Sequence, residues 1–184
     1  MLTKYILHGG YANRANEDNN KFFKEILSLD KKELNISIVL FAKEENEYNL
    51  KAEVIKNQFN INKSDKILNF TIAEEKNFVE QIKEADIIYI HGDETLKLLD
   101  TLRQYKDFSE AIKDKVVAGE SAGVYVLSSW FYSRSRDKCF PGLGIVPVKT
   151  ICHYVEKNKG KLNGCPPDLE ELILPDYKFK VFLV

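Results

Sequence analysis

Few residues of this 184-residue chain combine a reactive side chain with a telling spacing, and most of them cluster around one serine. Gly119-Glu120-Ser121-Ala122-Gly123 has the G-x-S-x-G spacing of a nucleophile elbow. The apolar run Val116-Val117-Ala118 precedes it, and Val124-Tyr125-Val126-Leu127 follows at once. A serine turned between a strand and a helix exposes its hydroxyl where free backbone N–H groups favour negative charge. Those are the requirements for attack on a carbonyl and for holding the oxyanion that forms. Read alone, the five residues also fit a turn without chemistry.

A serine hydroxyl needs a base, and the chain has three histidines. His153 comes after the Gly142-Leu143-Gly144 turn and a predicted strand, and is the candidate general base. His8 and His91 each end a predicted strand on the same sheet edge as Ser121; each is a candidate for lining the pocket, with a structural role as the alternative. The amide of Ala122 is one candidate oxyanion donor. Gly92 or Asp93, in the loop His91-Gly92-Asp93-Glu94-Thr95, is a candidate for the second; Gly92 equally permits a tight turn. Arg134 and Arg136, in the polar loop after the serine helix, are candidates for holding a substrate carboxylate, against the alternative of a solvated loop. Cys139, Cys152 and Cys165 form no C-x-x-C pair, and no H-E-x-x-H occurs. Neither a metal nor a disulfide framework is expected, and no cofactor.

The elements that must position these groups are short apolar strands alternating with amphipathic helices. Predicted strands lie at 5–8, 36–41, 67–72, 87–90 and 116–118, with a last one over 177–184. A helix capped by Asn16 or Asp18 carries Phe22, Phe23, Ile26 and Leu27 on one face. Residues 46–59 are read as a helix with Leu50, Val54, Ile55 and Gln58 in register, and 95–105 as one with Leu96, Leu98, Leu99 and Leu102. Residues 124–130 are read as a buried helix, 145–153 as one or two short strands, and 168–171 as the polar face of a short helix. Strands apolar on both faces and separated by helices specify a mostly parallel sheet covered on both sides, an α/β class. Ligands in such sheets sit beyond the carboxyl ends of the strands. That makes the loops after Leu7, Ile90 and Ala118 the ones to watch. No linker or repeat interrupts the pattern, so residues 1–184 are read as one domain.

Composition narrows the function classes. Hydrophobic residues make up 44% and charged residues 30%, with a net charge of −1. That is an ordinary globular balance, with no basic excess for nucleic acid and no apolar run of membrane-spanning length. The N-terminus lacks the apolar core and cleavage site of a signal peptide, so a cytoplasmic location is expected. Nothing in the sequence speaks to oligomeric state.

Three segments in order carry a family resemblance over nearly the whole chain. Ile87-Ile88-Tyr89-Ile90-His91-Gly92-Asp93-Glu94-Thr95-Leu96-Lys97-Leu98-Leu99 resembles an apolar strand, glycine-rich loop and T-x-x-L-L helix. Gly119 to Gly123 matches G-x-S-A-G. Gly142-Leu143-Gly144-Ile145-Val146-Pro147, followed by Cys152-His153-Tyr154, matches a G-L-G stretch leading to a histidine. Together they resemble the peptidase S51 family, that is dipeptidase E with cyanophycinase more distant. The resemblance implies a three-layer, flavodoxin-like fold related to class I glutamine amidotransferases. It implies metal-free serine hydrolysis of a small peptide, possibly an N-terminal Asp-X dipeptide, with Ser121 as nucleophile and His153 as base.

Two departures stand out. Asp93 and Glu94 occupy places where the family's loop is richer in glycine and carries asparagine, and two carboxylates there would repel an anionic substrate unless a cation offsets them. The family's third catalytic residue is a glutamate just after a strand that 179–184 resembles, and the chain stops there. Of Glu156, Asp168, Glu170, Glu171 and Asp176, none sits at that position. The expectation is therefore a Ser121–His153 dyad of low activity. The rival readings are a small esterase and a non-catalytic binding protein on the same fold. An esterase of the related elbow-bearing fold would place its acid between serine and histidine.

Overall fold

The computed structural model describes residues 2–184. In chain order the elements are β1 (Lys4–His8), α1 (Glu17–Ile26), β2 (Glu33–Val39), α2 (Tyr48–Asn62), β3 (Ile67–Ile72), α3 (Phe78–Glu84), β4 (Ile87–Ile90), α4 (Thr95–Arg103), α5 (Phe108–Ala111), β5 (Val116–Glu120), α6 (Ala122–Leu127), β6 (Ser128–Ser133), β7 (Lys138–Pro141), β8 (Val146–Cys152), β9 (Glu170–Leu174) and β10 (Phe179–Leu183). The main sheet runs β10-β1-β5-β4-β2-β3, and all its pairings are parallel except the one between β1 and β10.

Side chains alternate across this sheet, as the pleat requires. Ile6, Ile36, Ile38, Tyr89 and Ala118 point to one core with Phe22, Phe23 and Ile26 of α1 and Ala52, Ile55 and Phe59 of α2. Tyr5, Leu7, Val39, Ile88, Ile90 and Val117 point to the other, packed by α3, α4, α5 and α6. The result is the expected three-layer, mostly parallel α/β fold. Asn16 caps α1 through its side-chain oxygen, 2.8 Å from the amide of Asp18.

Several local expectations are corrected. On α2 the buried face is Ala52, Ile55 and Phe59, whereas Leu50 is 68% and Val54 40% exposed. The 52, 55, 59 spacing is a helical stripe whose first member is merely small. The helix after Ser121 stops at Leu127. Residues 128–133 instead form β6, the centre of a second sheet ordered β7-β6-β8-β9. Here Tyr125 stacks on Phe131 and Phe131 on Phe140, so an apolar run that fits either state is claimed by the strand. Residues 145–153 hold one strand, as the sequence allowed, whereas 170–174 are strand rather than helix. β8 pairs in parallel with β6 and β9, with Cys152 opposite Leu174.

The cysteine expectation is also overturned. Cys139 on β7 and Cys165 form a disulfide with Cα atoms 5.4 Å apart, leaving only Cys152 free and buried. The bridge ties the β6–β7 hairpin to the turn at residues 161–164, where Lys161 reaches Asp137 at 2.7 Å. No helix among the described residues is long and apolar enough to cross a membrane.

Candidate active site

Ser121 follows β5 directly with φ 50° and ψ −108°, outside the broad allowed regions for an L-residue. Its amide is held by the carbonyl of His8 at 3.0 Å, and its carbonyl accepts from Val124 and Tyr125. Such a turn survives only where its surroundings over-determine it. Gly123 is part of that constraint: a Cβ there would lie 2.4 Å from the carbonyl oxygen of Ile90, so only glycine lets α6 lie against β4. The six residues of α6 are too few for a large dipole, so individual amides rather than the helix as a whole would meet an anion.

His153 leaves the end of β8, also at positive φ (52°), with its amide bonded to Gly9 at 2.9 Å. Its Nε2 is 2.9 Å from Ser121 Oγ. Its Nδ1 is 2.6 Å from Oδ1 of Asp176. The expectation of a serine–histidine pair without an acid is therefore not met. Asp176 lies in the loop between β9 and β10, before the last strand rather than after it. Because β8 and β9 are parallel and in register, the residues just past their ends emerge side by side. Tyr154 N bonds to Leu174 O, and Gly10 O accepts from Tyr177, which fastens both loops to the end of β1. Gly10 touches the ring of His153 so closely that a Cβ would lie 2.0 Å from its Cε1. Glu156 points elsewhere, to Tyr154 and Lys159.

These groups face a cavity of about 460 Å³. Its walls include Tyr11, Arg14, His91, Gly92, Asp93, Glu120, Arg134 and His153. Arg14, which the sequence reading did not single out, stacks over the Tyr11 ring at 3.7 Å. Arg134 bonds the carbonyl of His153 at 3.2 Å. Neither guanidinium is paired with a carboxylate among the described residues. Arg136 does not line the cavity.

The oxyanion candidates lie together. Gly92 packs against the serine turn: a Cβ there would be 2.9 Å from Ser121 Cβ and 3.2 Å from the amide of Ala122. The amides of Gly92, Asp93 and Ala122 donate to no acceptor among the described residues. The two acidic departures are accounted for locally. Asp93 pairs with Lys43. Burial would lower the Lys43 ammonium, but the Asp93 carboxylate outweighs it and raises its pKa. Glu94 caps α4 by accepting from Leu96 at 3.2 Å.

The other two histidines separate. His8 does not reach the cavity: it is fully buried, with Nδ1 accepting from Gly10 N at 3.1 Å and Nε2 3.0 Å from Asn19 Oδ1. Burial holds its pKa below the ordinary value. His91 does line the cavity, and its Nδ1 is bonded to Glu120. Burial alone would raise the Glu120 pKa, but His91 and the Ala12 amide outweigh it and hold the carboxyl below its usual range. Burial pushes the Cys152 thiol well up, so it is no nucleophile.

No curated protein matches the chain. A peptidase from an acI-B1 actinobacterium has a similar fold, with a TM-score of 0.71 and 23% identity over 99% of this chain and 84% of that one. A putative peptidase E protein from Listeria monocytogenes EGD-e aligns with a TM-score of 0.65 and 15% identity, over 100% of this chain and 95% of that one. At these identities the likeness speaks to the fold. The sequence model of Peptidase family S51 matches residues 6–165. On that match the chain belongs to peptidase family S51.

Proposed function

We propose that the protein is a serine-type peptidase of small peptides, with Ser121 as nucleophile, His153 as general base and Asp176 as the acid that orients it. The observation that carries this reading is the unbroken chain Ser121 Oγ–His153 Nε2–Nδ1–Asp176, at 2.9 and 2.6 Å, opening on a cavity. Asp176 accepts a hydrogen bond from Nδ1–H, which fixes the tautomer in which Nε2 is unprotonated and can take the proton of Ser121. The serine oxygen then attacks the peptide carbonyl carbon. The carbonyl oxygen, now negative, is met by the amides of Ala122 and of Gly92 or Asp93. His153 returns its proton to the leaving amine, and water repeats the sequence on the acyl-enzyme. No step draws on a metal.

The guanidiniums of Arg14 and Arg134, paired with no carboxylate among the described residues, favour a substrate with an anionic group, and with Lys43 offsetting Asp93 the loop no longer opposes it. An Asp-X dipeptide fits both this charge pattern and the family. A complete serine–histidine–acid set argues against the binding-protein alternative. A fluorophosphonate probe tests the reading: mass spectrometry is expected to find the adduct on Ser121, with little labelling in His153→Ala. Labelling elsewhere, or equal labelling of the variant, would count against it.

A further inference from the structure

The cavity contains a second imidazole–carboxylate couple that hydrolysis leaves unused. His91 follows β4 and Glu120 ends β5. These strands are parallel neighbours with Ile90 opposite Gly119, so the two side chains emerge together. His91 Nδ1 bonds Glu120 Oε1. The Glu120 side chain is only 4% exposed and also accepts from the amide of Ala12 at 3.1 Å and the side-chain amide of Asn13 at 3.3 Å. Those two donors are neutral, so among the described residues His91 is the only group bonded to this buried carboxylate that can carry a positive charge. With Nδ1 committed to Glu120, Nε2 of His91 has no partner among the described residues, in a ring that lines the cavity.

We propose that the His91–Glu120 couple is the specificity element that receives the free α-ammonium of the substrate's N-terminus. The proposal rests on the peptidase reading above and names the end of the peptide that the site recognises. An ammonium donates an N–H to Nε2, while Nδ1–H already donates to Glu120. The ligand's charge thus compensates the buried carboxylate through the ring, and a buried charge without compensation is costly. The other carboxylates near the site are already taken, Asp93 by Lys43 and Asp176 by His153. Arg14 and Arg134 offer the opposite charge. A cavity with one cation-accepting wall and two guanidiniums paired with no carboxylate among the described residues matches a short zwitterionic peptide. His91, Glu120 and Ser121 line the same cavity of about 460 Å³, so an ammonium held at the couple shares that cavity with the nucleophile. That confines cleavage to a bond close to the N-terminus.

The test compares one peptide with a free N-terminus and its N-acetylated form, in wild type, Glu120→Gln and His91→Gln, reading the ratio of kcat/KM. The same pair is titrated calorimetrically into Ser121→Ala. Wild type is expected to prefer the free amine by about 30-fold or more, mostly in KM, as for loss of one partner of a buried charge pair. Both variants are expected to collapse that ratio. Equal use of the acetylated peptide by wild type, or an unchanged ratio in His91→Gln, overturns the proposal. His91→Gln carries the test if Glu120→Gln fails to fold, since Glu120 also holds the Ala12–Asn13 loop. Amine-dependent binding to Ser121→Ala, with no turnover of any peptide by wild type, would keep the subsite and sink the peptidase reading. Turnover without amine dependence would do the reverse.

Discussion

Asp176 is the residue on which the sequence and the structure differ most. Ser121 and His153 were legible because each sits in a pattern: a glycine-bracketed turn between strand and helix, and a histidine after a glycine turn and a strand. Asp176 has no such pattern. It meets His153 only because β8 and β9 are parallel neighbours in register, and pairing register is not written in either strand alone. The structure predicts that Asp176→Asn lowers kcat by about four orders of magnitude, as loss of the orienting acid does in other triads, with the fold intact. Steady-state kinetics with circular dichroism check this, and a loss below tenfold would return the site to a dyad. His8 gives a second expectation. Its Nδ1 accepts a backbone bond, so the ring must be neutral, and its pKa is held below the ordinary 6.5. At pH 6 its NMR signals should be those of a neutral imidazole.

At the level of elements, the first two-thirds of the fold could be read from alternating apolar strands and helical stripes. The remainder could not, because short apolar runs fit strand and helix alike. The face of α2 was misjudged because Ala52 carries less apolar weight than the exposed Leu50. The loops at the strand ends are where elements become chemistry, and Gly10 is their tightest point. It has φ +131°, and any Cβ would strike the His153 ring. Gly10→Ala should therefore abolish turnover by displacing His153, even though position 10 contributes no side chain to the reaction. Activity of Gly10→Ala within tenfold of wild type would show that His153 works from another position.

The whole molecule carries two consequences for stability. His8 and Glu120 both have lowered folded-state pKa values. Below about pH 6.5 the unfolded chain takes up a proton at His8 that the native state excludes. Below the ordinary Glu value of 4.5 the same holds for Glu120, until its folded pKa is passed. Stability should thus fall as pH is lowered from 7 to 5, seen as a lower urea midpoint; a flat or rising midpoint would contradict this. The Cys139–Cys165 bridge spans 26 positions. Its loss should cost about 3 to 4 kcal/mol, about 10 °C in Tm for a chain of this size. Stable disulfides are rare in reducing compartments, so the bridge is expected to form on exposure to oxidising conditions. Thiol titration of denatured protein prepared without reductant should find one free cysteine, whereas three would show that the bridge does not form. The central claim is serine catalysis by this pocket, and its most direct test is hydrolysis of a dipeptide panel varied at both positions, with Ser121→Ala prepared in parallel. The account predicts turnover by wild type, best with an acidic N-terminal residue, and none above background by Ser121→Ala. Equal turnover by the two proteins would contradict it.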